Sequence, residues 1–205
     1  MNLEINKVIE SFKRNNIEVI YLDDPQEIFD FLDKQIKDQM SIGIGGSMTL
    51  FETGIIDYLK NRKINYLDRY QEELSKEELF QVFDKSLTCD IYLTSSNAIT
   101  ADGYLYNIDR TGNRVAAMTY GPKKVIVIAG TNKLVQDIPE AINRVEKIAA
   151  PKNCLRLNKD TPCSKIGYCV HCHHEDKLCS FYSIIGHQYV KNRITVVLIN
   201  GNYGF

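Results

Sequence analysis

Tryptophan is absent from this chain, and no apolar run approaches the roughly 20 residues that a membrane-spanning helix needs. A membrane is therefore not an expected partner. An excess of charge of one sign is missing too: 25 Lys and Arg stand against 26 Asp and Glu, for a net charge of −1. Nucleic-acid binding calls for a basic stripe, so nucleic acid is not an expected partner either. The opening Met-Asn-Leu-Glu-Ile-Asn-Lys has no apolar signal core, from which a cytoplasmic location is expected. Six cysteines without a secretion signal argue against a disulfide framework. Internal repeats and low-complexity segments are lacking as well.

What the chain does contain suits one domain with a sizeable core: 205 residues, 44% of them hydrophobic, with twelve Tyr and eight Phe supplying the aromatic bulk. Apolar periodicity alternates between helix and strand. Helices are expected over Leu3–Asn15, from Asp24-Pro25 with Ile28, Phe29, Leu32 and Ile36 inward, over Leu74–Leu87, and over Asp137–Ala149 with Ile138, Ile142, Val145 and Ala149 on one side. Strands are expected over Ile17–Leu22, Ser41–Ile44, Ile64–Leu67, Asp90–Thr94, Lys124–Ala129 and Ile194–Ile199. Ile99 to Ile108 fits a hairpin turning at Asp102-Gly103. Such alternation defines an α/β fold with a mostly parallel sheet flanked by helices. Ligands of such folds bind beyond the carboxyl ends of the strands.

Two loops lie there. The first is Ser41-Ile-Gly-Ile-Gly-Gly-Ser-Met-Thr-Leu-Phe-Glu-Thr-Gly54, a strand, a glycine turn and a helix start. Ser47 or Thr49 can cap that helix, Thr49-x-x-Glu52 fits a capping box, and Phe51, Ile55 and Leu59 form one apolar face. Free N–H groups at such a corner attract anions. It is not a Walker A loop, which needs a lysine, nor a dinucleotide fingerprint, which needs a third glycine where Met48 stands. Glycines that only relieve crowding are the plainer reading. The second loop spans 95–114. Ser95, Ser96 and Asn97 can donate hydrogen bonds, Asp102 and Asp109 can act as bases, and Arg110 and Arg114 can clamp a carboxylate or phosphate. Turn chemistry accounts for Asp102 and Gly103. The cluster Asn107, Asp109, Gly112, Asn113 and Arg114 is denser than turns require.

The corner GIGGSMTLFETG, the loop SSNAITADGYLYNIDRTGNRVAA and the run GPKKVIVIAGTNKLV together resemble the lactate-utilisation (LUD) domain family. The resemblance covers most of residues 1–150 and the last strand. It implies the NagB/RpiA/CoA-transferase-like fold shared by ribose-5-phosphate isomerase, glucosamine-phosphate deaminase and the CoA transferases. It also implies a small anionic ligand (phosphate, carboxylate or CoA ester) and a place in lactate or related hydroxy-acid utilisation beside iron–sulfur redox partner proteins. Carried over residue by residue, the ligand corner is Gly43, Gly45, Gly46, Ser47 and Thr49, facing Ser96, Asn97, Asp102, Asn107, Gly112 and Arg114, with Glu52 and Asp109 as candidate catalytic groups. The acidic Asp-Gly-Ala-Asp-type stretch of the isomerases is missing, and Glu52 sits on the corner helix, unlike the glutamate nucleophile of the transferases.

Beyond Pro151 the chain turns cysteine-rich, which reads as an insertion over 151–185 within a single domain spanning 1–205. Cys163, Cys169, Cys172 and Cys179 have the spacing C-x5-C-x2-C-x6-C, and a two-residue gap lets two thiolates reach one metal. A 4Fe–4S cluster uses four thiolates; zinc takes four thiolates, or thiolates mixed with His171, His173 or His174. A subgroup of the family resembles this tail, with Thr-Pro-Cys before the first ligand. The redox association points to the cluster. Cys89 and Cys154 read as structural thiols, Cys154 in a short strand, and His187 as a residue of a helix without catalytic role. Three classes stay open: an iron–sulfur subunit passing electrons, an isomerase- or transferase-like enzyme, and a non-catalytic module with structural zinc. A homo-oligomer is compatible with each.

Overall fold

A computed structural model describes residues 5–205; Leu3, counted with the first helix, lies outside them. The chain runs α1 (Ile5–Arg14), β1 (Glu18–Leu22), α2 (Glu27–Gln35), β2 (Ser41–Ile44), α3 (Met48–Glu52), α4 (Ile55–Lys60), β3 (Asn65–Leu67), α5 (Lys76–Ser86) and β4 (Ile91–Thr94). It continues through β5 (Ala98–Thr100), β6 (Leu105–Asp109), α6 (Asn113–Thr119), β7 (Lys124–Gly130), β8 (Leu134–Val135) and α7 (Ile138–Arg144). After these come α8 (Ala150–Arg156), α9 (Pro162–Ile166), β9 (Phe181–Ile185) and β10 (Ile194–Ile199). No helix among the described residues is long and apolar enough to cross a membrane.

Six strands form one wholly parallel sheet in the order β1-β10-β7-β4-β2-β3. Its central strands are apolar on both faces because both faces are covered. On β7, Val125, Val127 and Ala129 point into the core shared with Phe12 of α1 and Met118 of α6. Ile126 and Ile128 point into the opposite core, with Leu32 of α2, Leu50 of α3 and Leu59 of α4. Each fully buried Ile or Val contributes about 1.5–3 kcal/mol, so this alternation fixes the strand's rotation. A second sheet, β8-β5-β6-β9, stands beside the first. It contains the expected hairpin, β5 against β6, with Asp102-Gly103 at the turn. Ile99, Leu105 and Ile185 of this sheet join the first core, and Ala98, Tyr106 and Ile108 pack on Ala141, Val145 and Ala149.

The chain order places a switch point between β2 and β4. From β2 the chain moves outward to β3, and from β4 it moves the other way to β7. The carboxyl ends of β2 and β4 therefore diverge into different connections, which opens a crevice there.

Several local expectations are corrected. Ser47 caps α3, accepting from Leu50 N, so the Thr49–Glu52 capping box does not form; Glu52 accepts instead from Gly204 N. A true capping box closes α5, at Ser75 and Glu78. Gly54, at φ +74°, ends the corner helix after five residues, and Phe51 is turned outward while Leu50 takes the buried position. The helix expected over Asp137–Ala149 runs on to Arg156, through a π turn at Val145–Ala149. Pro151 has no N–H and would crowd the carbonyl one turn back; the wider turn accommodates it. Ala141 rather than Ile142 joins the buried face. Residues 151–156 are thus helical, and Cys154 lies on α8, not in a strand. His187 lies in a loop, not a helix, and β9 and α6 were not expected.

Candidate functional site

A cavity of about 520 Å3 opens at the switch point, between the corner after β2, the loop after β4, the turn after β7 and helix α8. Gly46 and Ser47 line it on one side, and Ser95, Ser96, Asn97, Asp109 and Arg114 on the other. The two loops expected to share one cleft do so.

Several corner residues serve packing instead. A Cβ on Gly43 would lie 2.9 Å from Ser86 Oγ, and one on Gly45 would lie 2.5 Å from Thr94 Oγ1. These two glycines let β2 approach α5 and β4. Gly46 faces outward, its nearest neighbour the Arg69 guanidinium 3.5 Å from where a Cβ would stand. Thr49 is fully buried beneath the cavity, and Glu52 lies outside it. Asp102 is exposed at the far hairpin turn. Gly112, at φ +89°, starts α6 and also lies outside the lining.

Arg114 organises the second loop. Its Nη1 donates to Ser95 O (2.9 Å) and Asn107 Oδ1 (2.6 Å), and its Nη2 to Asn97 Oδ1 (2.9 Å) and Ile108 O (2.7 Å). Its Nε lies 3.3 Å from Asp109 Oδ2, while Asp109 Oδ1 accepts from Gly112 N. Guanidinium and carboxylate are both occupied by the protein. A buried charge so fully bonded costs little to keep and much to leave half-paired. Asn107 is fully buried; its Oδ1 accepts from Arg114 and Asn97 N, while its Nδ2 has no partner among the described residues.

The free cations lie elsewhere. Arg69, on the connection after β3, stacks over Phe83 (4.7 Å) and Tyr70 (5.6 Å) and has no ion pair among the described residues. Lys133 follows β7 on a short turn, 3% exposed, with Nζ donating to Thr49 Oγ1 and Ser95 Oγ, each at 2.9 Å. Burial, then the nearby Arg144 and Arg114, pulls its pKa from the usual lysine value down to about 7. Arg144, on α7, donates to Asn97 O at 2.5 Å and braces the loop from behind; burial lowers it to about 10. Arg69, Lys133 and Arg144 escaped the sequence reading. The strand-end rule applied to Lys124–Ala129 would have found Lys133, three residues beyond Gly130. Nothing local marks Arg69 or Arg144.

Cys163 is buried on α9 against Cys154 and Leu178, with Thr161 Oγ1 3.3 Å from its sulfur. Cys169 accepts from His171 N at 3.3 Å, and its own N donates to Glu146 O. Burial raises the Cys169 thiol, against the hydrogen bond from His171 N, which lowers it. Cys172 and Cys179 are half-buried. Residues 167–180 contain no helix or strand, and Leu178 reaches the cavity wall, so this segment borders the cleft. Four thiols fit zinc or an iron–sulfur cluster in kind, and an N–H bonded to sulfur suits a thiolate. Among the described residues, however, no three Cys, His, Asp or Glu side chains converge as a metal set. Binding on all four would require segment 167–180 to rearrange. His174 Nδ1 accepts from Asp176 N and His171 faces Glu146 at 3.5 Å.

A parallel sheet with a crevice at its switch point defines an α/β fold. A DUF162 family protein from Deinococcus radiodurans, known from its crystal structure, has that fold, with a TM-score of 0.52 over 96% of each chain at 11% identity. No curated protein sequence matches. The LUD domain profile matches residues 5–199, and the chain belongs to the LUD domain family.

Proposed function

We propose that the cleft binds a small anion, a carboxylate or phosphate, in the service of lactate or related hydroxy-acid utilisation. One observation carries this reading. Six basic side chains line the cavity (Arg69, Arg110, Arg114, Lys133, Arg156 and Lys159) against one carboxylate side chain, Asp109, which Arg114 already holds; Lys159 pairs with Asp176 beyond the lining. Arg69 and Lys133 lack a carboxylate within ion-pair distance among the described residues, and a bound anion supplies one. Arg69 also flanks Gly46, where the corner's backbone is most open. The hydroxy-acid process comes from the family alone.

The test is thermal unfolding at low ionic strength with L-lactate, pyruvate or inorganic phosphate. A ligand at 100 times its Kd stabilises by about 2.7 kcal/mol, which is roughly 5–10 °C for a domain of this size. A shift no larger than that given by chloride at equal ionic strength, for all three anions, overturns the reading.

The second part of the proposal is a metal on Cys163, Cys169, Cys172 and Cys179. Their thiol chemistry and the Cys169 contact with His171 N support it. An iron–sulfur cluster there would carry electrons; zinc would tie the segment in place. Metal and sulfide analysis of anaerobically purified protein separates them. Iron with equal sulfide supports the cluster, stoichiometric zinc supports the structural metal, and neither in substantial amount overturns both.

A further inference from the structure

Lys133 is provided for differently from the other buried cations. Arg114 has Asp109 beside it, and Arg144 spends its donors on backbone carbonyls. Among the described residues the Lys133 amine is hydrogen-bonded to the two neutral hydroxyls of Thr49 and Ser95, at 2.9 Å each, and it lies on the cavity wall. An ammonium has three donors, and these hydroxyls account for two. A lysine kept dry beside the guanidinium groups of Arg144 and Arg114, with Glu52 opposing them from beyond ion-pair distance, is in part free base at neutral pH. Its lone pair is then available to an electrophile, the condition for a nucleophilic amine. The groups around it suit one kind of electrophile. Arg69 at the mouth offers a charge for an anionic end, and about 520 Å3 admits a small molecule.

We propose that Lys133 condenses with the carbonyl group of a small anionic aldehyde or ketone held in the cleft. Nζ adds to the carbonyl carbon. The carbon–oxygen bond then breaks, and the oxygen leaves as water with two protons that the amine gives up, so that a carbon–nitrogen double bond remains. The step needs no oxidant or reductant. Thr49 and Ser95 hold the amine in place and are within reach to pass those protons. The inference rests on the anion-cleft reading and adds to it the class of substrate.

Intact protein is incubated near pH 7.5 with pyruvate, and separately with pyridoxal phosphate as an aldehyde bearing a phosphate. Each sample is reduced with borohydride and mapped by peptide mass spectrometry, and calorimetry measures inorganic phosphate binding in parallel. The expected result is one adduct per chain on Lys133, formed at least about 10-fold faster than on any surface lysine. Excess phosphate should slow it, and Lys133→Arg should abolish it while circular dichroism shows a native fold. If phosphate binds but the label spreads evenly over surface lysines, the amine is structural; the inference falls and the anion cleft stands. If phosphate does not bind and Lys133 is unlabelled, both fall.

Discussion

In the cleft, Arg114 is nine-tenths buried and its Nε, Nη1 and Nη2 all face protein acceptors: two carbonyls, two side-chain amides and a carboxylate. In the cysteine segment, which meets the cleft at Leu178, residues 167–180 form neither helix nor strand, and three of the four candidate ligands are half-exposed. The first region is held by its own bonds, with no ligand needed to fix it. The second is held by few bonds, among them His171 N to Cys169 Sγ and Asp176 N to His174 Nδ1, and its four thiols do not converge. Preorganisation suits binding and chemistry; a loosely held thiol loop suits a group whose binding completes the fold locally.

The largest effect tests the first half of that contrast. Arg114→Ala strands Asp109 and removes the guanidinium donors from Asn97 Oδ1, Asn107 Oδ1 and the carbonyls of Ser95 and Ile108. A loss of about 3–5 kcal/mol is expected, seen as a fall of roughly 10 °C in thermal unfolding, with no ligand or metal present. A fall under about 2 °C would mean that the network is not what holds the loop.

The second half is tested by the thiols. Cys172→Ser should leave the unfolding temperature of metal-free protein within about 2 °C, since a half-exposed side chain is lost. In metal-loaded protein it should lower metal content by half or more and speed proteolysis within 167–180 roughly 10-fold. Equal behaviour of variant and wild type in both states would remove Cys172 from the ligand set.

A smaller effect lies in the pH dependence. Lys133 has a folded pKa of about 7, below the ordinary lysine value near 10.4 that it regains on unfolding. Between those values the unfolded chain binds more protons, so stability rises with pH from about 7 to 10. Below about 7 the penalty for burying the amine is complete. Lys133→Met should therefore gain on wild type most at pH 6 and least at pH 10, by urea titration across that range. A constant difference would indicate that the amine is not desolvated as the structure places it.

The strands at the centre of the fold were legible for a plain reason. Ile42–Ile44, Ile91–Leu93, Val125–Ala129 and Ile194–Ile199 are buried on both faces, so every residue carries the signal. β9 escaped because Phe181, Tyr182 and Ile184 are exposed along its edge and no alternation marks it. The helix expected to end at Ala149 runs past Pro151 because a π turn precedes that proline, where its rule assumes a regular α-helix. At the site, Gly46, Ser47, Asn97, Asp109 and Arg114 were readable from loop composition. Gly43 and Gly45 were readable as glycines but not as packing devices, since Ser86 and Thr94 come from distant segments. Lys133 was marked only by its place after a buried strand, and Arg144 looks like an ordinary charged residue in sequence; tertiary burial sets it apart.

The smallest expected effect is remote from both regions. Asp90 accepts from Ser41 N and Oγ and pairs with Lys123, which hold its carboxyl well below the usual range. Its contribution is present above about pH 4 and is lost as pH falls through the lowered value. Asp90→Asn should cost under about 1 kcal/mol at pH 7, because the pair with Lys123 is exposed, and leave anion binding unchanged.

The most direct test of the cleft as a preformed anion site is calorimetric titration of inorganic phosphate into metal-free wild-type protein and into Arg69→Ala. The account predicts one site per chain with a millimolar or tighter Kd, weakened at least about 10-fold in the variant, with no change in the circular dichroism of either protein. Absence of heat in the wild type, or equal binding by both proteins, would contradict it.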